Sequence, residues 1–112
     1  MKIYHNPRCR KSREGVQYLT DKKLNFEIFD YLKEGVSEDD IKSILKKLNM
    51  SAIELVRKNE KIWKDNFKGK ELKEEQIISI LCEEPKLIER PIIVHKNKAV
   101  IGRPKENIDS LL

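Results

Sequence analysis

One cysteine of this sequence lies among cationic residues, at the point where a short apolar strand runs into a helical pattern. The stretch is His5-Asn6-Pro7-Arg8-Cys9-Arg10-Lys11-Ser12-Arg13, and it follows the apolar pair Ile3-Tyr4. Neighbouring positive charge and the unpaired N–H groups of a helix N-terminus favour the thiolate, which is the nucleophilic form of cysteine. The same N–H groups bind oxyanions. We therefore expect Cys9 to be a nucleophile beside an oxyanion site.

The main alternative is that Cys9 is a buried, unreactive residue, because cysteine packs as a small hydrophobic side chain. The four cations of the loop argue against this alternative, since arginine and lysine are almost never fully buried unless they are paired. His5 has two interpretations that the sequence does not separate. It donates a hydrogen bond or a charge to the thiolate, or it is a polar residue at the end of a strand.

The loop resembles a known active site when it is written His5-Asn6-Pro7-x-Cys9-x-x-Ser12-Arg13. It is similar to the active-site loop of the glutaredoxin-coupled arsenate reductases, the ArsC family of the thioredoxin-like superfamily. Three further segments resemble the family in matching order, and they are Leu55–Asn59, Glu89–Val94 and Gly102–Pro104. The resemblance therefore spans nearly the whole chain.

The resemblance implies a function for one arginine in each of these segments. Arg57, Arg90 and Arg103 match the arginines with which the family binds the oxyanion and stabilises the charge that develops during attack. A guanidinium group suits this role because it stays protonated and grips two oxygens at once. Arg90 and Arg103 form the stronger pair, because the hairpin between them keeps both near one end of the sheet. The resemblance also implies that Pro91 follows a cis peptide bond.

The resemblance further implies that arsenate is the substrate and that Cys9 attacks it, with His5 among the catalytic residues. Ser12 and Arg13 would join the arginines in binding the substrate. Ser12 stands where a dithiol enzyme has its second cysteine, so the site cannot close a local disulfide. Glutathione is then expected as co-substrate and glutaredoxin as partner, with no bound cofactor or metal. Cys82, late on a predicted helix, is interpreted as a core cysteine rather than as a resolving thiol.

The pattern of the chain predicts an α/β fold. Strands are predicted at Ile3–Tyr4, Asn25–Tyr31, Ile92–Val94 and Ala99–Ile101, and helices at Arg10–Asp21, after Ser37, after Ser51, at Lys73–Glu84 and after Pro104. The order β-α-β, helices, β-β-α resembles a thioredoxin-like mixed sheet with a helical insertion at about residues 37–84. We expect one domain over residues 1–112, a length that supports a single modest core.

Local signals also predict helix starts, the alternation of one strand and the apolar face of the final helix. The sequences Ser37-x-x-Asp40 and Ser51-x-x-Glu54 both read as capping boxes at helix starts. Ile28 alternates with polar Glu27 in the second strand, as in a half-buried strand. The last apolar residues of the chain, Ile108, Leu111 and Leu112, are predicted to form one face of the final helix.

The composition limits where such a protein works. No apolar run approaches the roughly 20 residues that span a bilayer, and the sequence opens on a strand rather than on a leader peptide. Two widely separated cysteines indicate a reducing compartment rather than a disulfide framework. We expect a monomer in the cytoplasm that does not bind membranes.

The net charge of +5 raises the alternative of nucleic-acid binding. Lysines alternate with acids along most of the chain, a pattern typical of solvated helix faces. The sequence contains neither an aromatic-studded basic strand nor a zinc module. A cationic site for a small oxyanion explains the excess charge, and we expect no nucleic-acid partner.

Two other functions fit the same fold. One is a regulator resembling the Spx-type proteins, which bind RNA polymerase and often carry a Cys-x-x-Cys switch. Ser12 and the three arginines argue against that reading. The other is a glutathione-dependent thiol reductase of unknown substrate, which would need Cys9 but not all three arginines. In addition, Arg10 and Lys11 depart from the family, whose best-known members carry small or neutral residues there.

Overall fold

The computed structural model describes residues 1–112. Its strands are β1 (Lys2–His5), β2 (Glu27–Asp30), β3 (Ile92–His95) and β4 (Lys98–Ile101), and its helices are α1 (Arg10–Asp21), α2 (Tyr31–Glu34), α3 (Glu38–Leu48), α4 (Lys61–Asn66) and α5 (Glu74–Glu83). Short 3₁₀ helices span Ala52–Leu55, Pro85–Leu87 and Lys105–Leu111. The chain forms two compact units, Met1–Glu34 with Arg90–Leu112, and Gly35–Glu89.

The first unit is built on a mixed sheet with the strand order β2-β1-β3-β4. β1 pairs with β2 in parallel and with β3 in antiparallel orientation, and β3 and β4 form an antiparallel hairpin. Helix α1 connects the two parallel strands, so β1, α1 and β2 form the predicted β-α-β unit. This arrangement confirms the predicted thioredoxin-like α/β fold.

The core of the first unit joins the sheet, α1 and the C-terminal segment. Its fully buried members come from each of these elements and are Ile3, Leu19, Ile93 and Ile108, with Leu111 nearly buried beside them. Burial of each such side chain contributes about 1.5–3 kcal/mol relative to exposure. The packing brings β1, which leads into the cysteine loop, against β3, which follows Arg90. The core therefore positions the two segments that carry the site.

Gly15 allows α1 to approach the proline that follows Arg90. A Cβ at Gly15 would lie 3.0 Å from Cγ of Pro91 and 3.3 Å from Cδ1 of Ile3. Gly15→Ala gains about 1 kcal/mol of helix propensity, but overpacking against a buried ring costs about 1–3 kcal/mol. We expect a net destabilisation of about 1 kcal/mol, measured by urea unfolding. A midpoint equal to or above that of the unsubstituted protein would show that Pro91 moves aside at little cost.

The second unit is helical, and it extends slightly beyond the predicted insertion at 37–84. Ser37 forms the predicted capping box, with Asp40 N–H donating to its hydroxyl and the Asp40 carboxylate accepting from Ser37 N–H. The second predicted box is wrong, because Ser51 makes no capping hydrogen bond and a 3₁₀ helix follows it. Ala52 N–H instead donates to both carboxylate oxygens of Glu74, which lies on α5.

Several other local predictions differ from the structure. The second strand ends at Asp30 rather than at Tyr31, and Tyr31 begins the short helix α2, which the sequence pattern did not predict. Helix α4 was also not predicted, since its sequence lacks a regular apolar face. Ile28 is 51% exposed on the edge strand and Leu112 is 58% exposed, so neither contributes to the core. None of the helices combines the length and apolar content that crossing a membrane requires.

Candidate active site

Cys9 is the N-cap residue of α1, as the sequence predicted. Its backbone is extended, its N–H donates to the carbonyl of Asn6 at 3.0 Å, and its carbonyl accepts from Arg13 N–H at 3.0 Å. No side chain caps the helix, so the N–H groups of the first turn have no side-chain partner. Cys9 is 8% exposed. Cys9 is therefore buried, as its alternative interpretation predicted, but it lies at the positive end of α1.

Arg90 lies two residues before β3, and its side chain contacts the cysteine. Its Nε–H donates to Sγ of Cys9 at 3.1 Å, a contact between residues 81 positions apart. The peptide bond between Arg90 and Pro91 is cis, as the resemblance implied, and the carbonyl of Pro91 accepts from Gly102 N–H at 2.8 Å. A guanidinium at this distance stabilises a thiolate by charge and by hydrogen bonding. Arg90 is thus the closest cationic partner of the cysteine in the described contacts.

The same guanidinium has a buried nitrogen without an acceptor. Nη1 of Arg90 is inaccessible to solvent and makes no hydrogen bond within the chain. A buried donor left unsatisfied costs about 1–3 kcal/mol, and more when it is charged. An oxyanion beside Sγ of Cys9 is the kind of group that would satisfy it. The guanidinium can therefore hold a thiolate at Nε, while Nη1 is a donor for which the chain supplies no acceptor.

Ser12 is a fully buried polar residue on the first turn of α1. Its hydroxyl accepts from Asn6 N–H at 2.9 Å and lies 2.6 Å from Nδ1 of His5. The hydroxyl thus ties the end of β1 to the first turn of the helix. The sequence predicted that Ser12 contacts the substrate, a role that remains a prediction. The observed contacts show Ser12 holding the loop that carries Cys9.

His5 lies at the end of β1 and keeps an uncharged ring more readily than a free histidine does. Partial burial lowers the pKa of His5, and the positive charge of Arg13 adds to this effect, whereas Asp30 opposes it. In the neutral tautomer that carries its proton on Nε2, Nδ1 accepts a hydrogen bond, and the Ser12 hydroxyl then donates to it. His5 makes no hydrogen bond to Cys9. Of the two interpretations from the sequence, the strand-end position with a local hydrogen bond matches the observed geometry.

The lowered pKa of His5 predicts a loss of stability in acid. Below about pH 6.5 the histidine of the unfolded chain binds a proton while folded His5 is still neutral. The free energy of unfolding therefore decreases as the pH is lowered through that range. His5→Asn keeps a polar group near Ser12 but does not titrate. We expect its urea midpoint to fall less between pH 7 and pH 5 than that of the unsubstituted protein. Equal falls would contradict this assignment.

Arg13 is exposed and supports the loop by a hydrogen bond at the surface. Its Nη1–H donates to the carbonyl of Pro7 at 2.9 Å, and Oδ1 of Asn6 accepts from Arg8 N–H at 3.0 Å. These two bonds fix the turn before Cys9. One edge of the Arg13 guanidinium is therefore used within the loop, while its predicted contact with the substrate remains a prediction.

Arg103 follows β4, and its side chain is exposed with no hydrogen bond or ion pair to its guanidinium. The segment that carries it is held by Asn107, whose side-chain amide donates to the carbonyls of Ile101 at 3.1 Å and Arg103 at 3.2 Å. The bond between Arg103 and Pro104 is a second cis peptide. Sequence reasoning missed Asn107, which lies four residues after a predicted arginine but has no motif of its own.

Arg57 belongs to the second unit, where an acidic residue holds it. Its N–H donates to the carbonyl of Leu87 at 2.7 Å, which pairs the segments around Val56 and Ile88. Nη1 of Arg57 donates to the carboxylate of Glu60 and to the carbonyl of Lys86 at 3.4 Å. The opposite guanidinium edge, Nε with Nη2, makes no hydrogen bond. Glu60 could have been found as an acidic residue three positions after the arginine, at a helix start.

Cys82 lies on α5 in the second unit, half-buried. Burial raises the pKa of its thiol, and the negative charges of Glu38, Asp40 and Glu83 raise it further. Such a thiol remains protonated at neutral pH and reacts slowly. The raised pKa argues against a resolving thiol, but Cys82 is only half-buried and so is not the core cysteine that the sequence predicted. No group of three histidine, cysteine, aspartate or glutamate residues is placed to hold a metal ion.

Comparison with known proteins identifies the family of the chain. The ArsC family model matches residues 4–111. The chain is 43% identical over 110 residues to the uncharacterized protein YfgD of Escherichia coli K12, covering 96% of this chain and 92% of that protein. It is 36% identical over 112 residues to an arsenate reductase of Haemophilus influenzae, covering 98% and 97%. An arsenate reductase structure from Vibrio cholerae superimposes with a TM-score of 0.94 at 33% identity, covering 100% of this chain and 98% of that one. The chain therefore belongs to the ArsC family.

Proposed function

We propose that this protein reduces arsenate to arsenite through the thiolate of Cys9. One observation carries the proposal. Arg90 donates from Nε to Sγ at 3.1 Å and has a buried Nη1 without an acceptor. A thiolate and an arsenate ion repel each other, so a reaction between them needs fixed positive charge that contacts both. The Arg90 guanidinium meets that need.

The other predicted arginines are proposed as further ligands of the oxyanion. The guanidinium of Arg103 is exposed and unpaired, and Arg57 keeps its Nε and Nη2 edge free because Glu60 and the carbonyl of Lys86 take Nη1. That free edge is a fork that fits two oxygens. The open N–H groups of the first turn of α1 supply additional donors without moving.

The proposed first step is attack of the Cys9 thiolate on arsenic. A bond forms between Sγ and arsenic, and one oxygen leaves as hydroxide, which gives a thiol-linked arsenic(V) adduct. The adduct keeps its negative charge, and the donors that held arsenate continue to hold it. Arsenic is not yet reduced at this stage.

Reduction is proposed to come from glutathione, since Ser12 offers no second thiol. Its thiolate attacks Sγ of Cys9, the bond between sulfur and arsenic breaks, and the electron pair of that bond passes to arsenic. Arsenic(III) leaves as arsenite, and a mixed disulfide between Cys9 and glutathione remains. Glutaredoxin then takes the glutathione and restores the Cys9 thiolate. A compartment that maintains reduced glutathione, such as the cytoplasm, is the proposed setting.

Arsenite formation from arsenate, in the presence of glutathione and glutaredoxin, tests the proposal. The unsubstituted protein should form arsenite, and Cys9→Ser should abolish the reaction. Cys82→Ser is the matched control, because it removes the other thiol of the chain and should retain the rate. Absence of arsenite with the unsubstituted protein, or retained activity of Cys9→Ser, would overturn the proposed function.

A further inference from the structure

We infer that the exposed cations around Cys9 form a docking surface for the acidic face of a protein dithiol reductant. We call Arg8, Arg10 and Lys11 the cationic loop surface. The inference rests on the proposed function, because it concerns the regeneration of Cys9 during the same reaction.

The reductant must come from outside the chain. Ser12 cannot form a disulfide with Cys9, and burial together with nearby acidic residues raises the pKa of the Cys82 thiol, which keeps that thiol unreactive. Cys9 itself is only 8% exposed. An incoming sulfur atom therefore has to approach along the residues that border the loop.

Those bordering residues carry excess positive charge that the protein does not neutralise. Arg8 is exposed, and its guanidinium has no hydrogen bond or ion pair. Arg10 and Lys11 have side chains that are 84% and 50% exposed, and both lie 3.5 Å from the same carboxylate, that of Glu14. One glutamate thus serves two cations, and Arg8 has no counter-charge of its own.

The exposure of these side chains favours a macromolecular partner over a small ligand. A small anion is held by buried and oriented donors such as those of Arg90, whereas long exposed side chains are mobile and hold it weakly. Spread over the rim of a site, such cations instead raise the association rate of a protein with a complementary acidic face and set its orientation. The cationic loop surface fits that use.

The step that docking would serve is a thiol–disulfide exchange. A thiolate of the reductant attacks the glutathione sulfur of the mixed disulfide, and the bond to Sγ breaks, so Cys9 leaves as a thiolate. The second thiol of the reductant then displaces glutathione and closes the reductant's own disulfide. Two electrons pass from the reductant to the mixed disulfide, and the two thiols of the reductant lose two protons, which the released thiolates or solvent take up.

The experiment measures how fast an acidic dithiol glutaredoxin removes glutathione from the glutathionylated protein. Arg8→Glu and Lys11→Glu reverse charge on the surface, and Lys98→Glu is the matched control at an exposed lysine of β4. We expect the two loop variants to raise the KM for glutaredoxin about tenfold at low salt, with kcat within about twofold, and Lys98→Glu to change neither. Added salt should reduce the difference. With dithiothreitol, which is uncharged, all four proteins should react at the same rate.

Three results would overturn the inference. An unchanged KM in both loop variants would show that the surface does not bind the reductant. An equal loss of rate with dithiothreitol would show that the cations act on the chemistry at Cys9. In the complete reaction, a rise of the KM for glutathione as large as that for glutaredoxin would assign the surface to a small acidic thiol. The exchange is measured without arsenate, so failure of arsenate reduction would count against the proposed function and not against docking.

Discussion

Arg90→Lys should lower kcat for arsenate by about 100- to 1000-fold, the loss typical of removing one preorganised donor from a developing charge. Lysine keeps the positive charge but has no Nε–H beside an Nη group. It cannot hold Sγ of Cys9 at one edge and an oxyanion at another, which is the role proposed for Arg90. Initial rates of arsenite formation at saturating arsenate measure the change.

The control for this variant is Arg10→Lys, the same substitution at an arginine whose side chain is 84% exposed. It should leave kcat for arsenate within about twofold, because exposed ion pairs contribute little. Urea unfolding of Arg90→Lys shows whether a lower rate comes from a loss of catalysis or from a loss of stability. A rate close to that of the unsubstituted protein, with stability intact, would remove Arg90 from the mechanism.

Ser12→Ala should destabilise the fold by about 1–3 kcal/mol, because it removes the acceptor of the half-buried Asn6 N–H. The hydroxyl accepts from Asn6 and is paired with His5, so both groups lose their partner at once. These bonds set the path of the loop that ends at Cys9. We therefore also expect kcat for arsenate to fall about tenfold, since small misplacements of a nucleophile reduce rates strongly.

The matched control is Ser110→Ala, since the hydroxyl of Ser110 is exposed and donates only to the carbonyl of Asn107. Its stability should change by no more than about 0.5 kcal/mol. Urea midpoints and arsenite formation are measured on both variants. If Ser12→Ala kept both stability and rate, the hydroxyl would not be the bond that holds the loop.

Local interactions made much of the first unit predictable. Helix α1 begins and ends at the predicted residues, Arg10 and Asp21, because its apolar spacing follows the helical period. The hairpin of β3 and β4 and the capping box of Ser37 with Asp40 were predicted for similar reasons. Each of these features depends on residues a few positions apart. Where the local signal was weak, as in α4, the prediction failed.

The contacts that form the candidate active site join residues that are far apart in the sequence. Sequence patterns named Cys9 and Arg90, but their contact joins residues 81 positions apart, and only the pairing of β1 with β3 brings the two segments together. Only the packing decided that the Ser12 hydroxyl pairs with His5 and with Asn6 N–H. The sequence by itself determined which groups carry the charge and the nucleophile. Tertiary structure alone decided which of them touch, because a hydrogen bond between distant residues depends on the path of the whole chain.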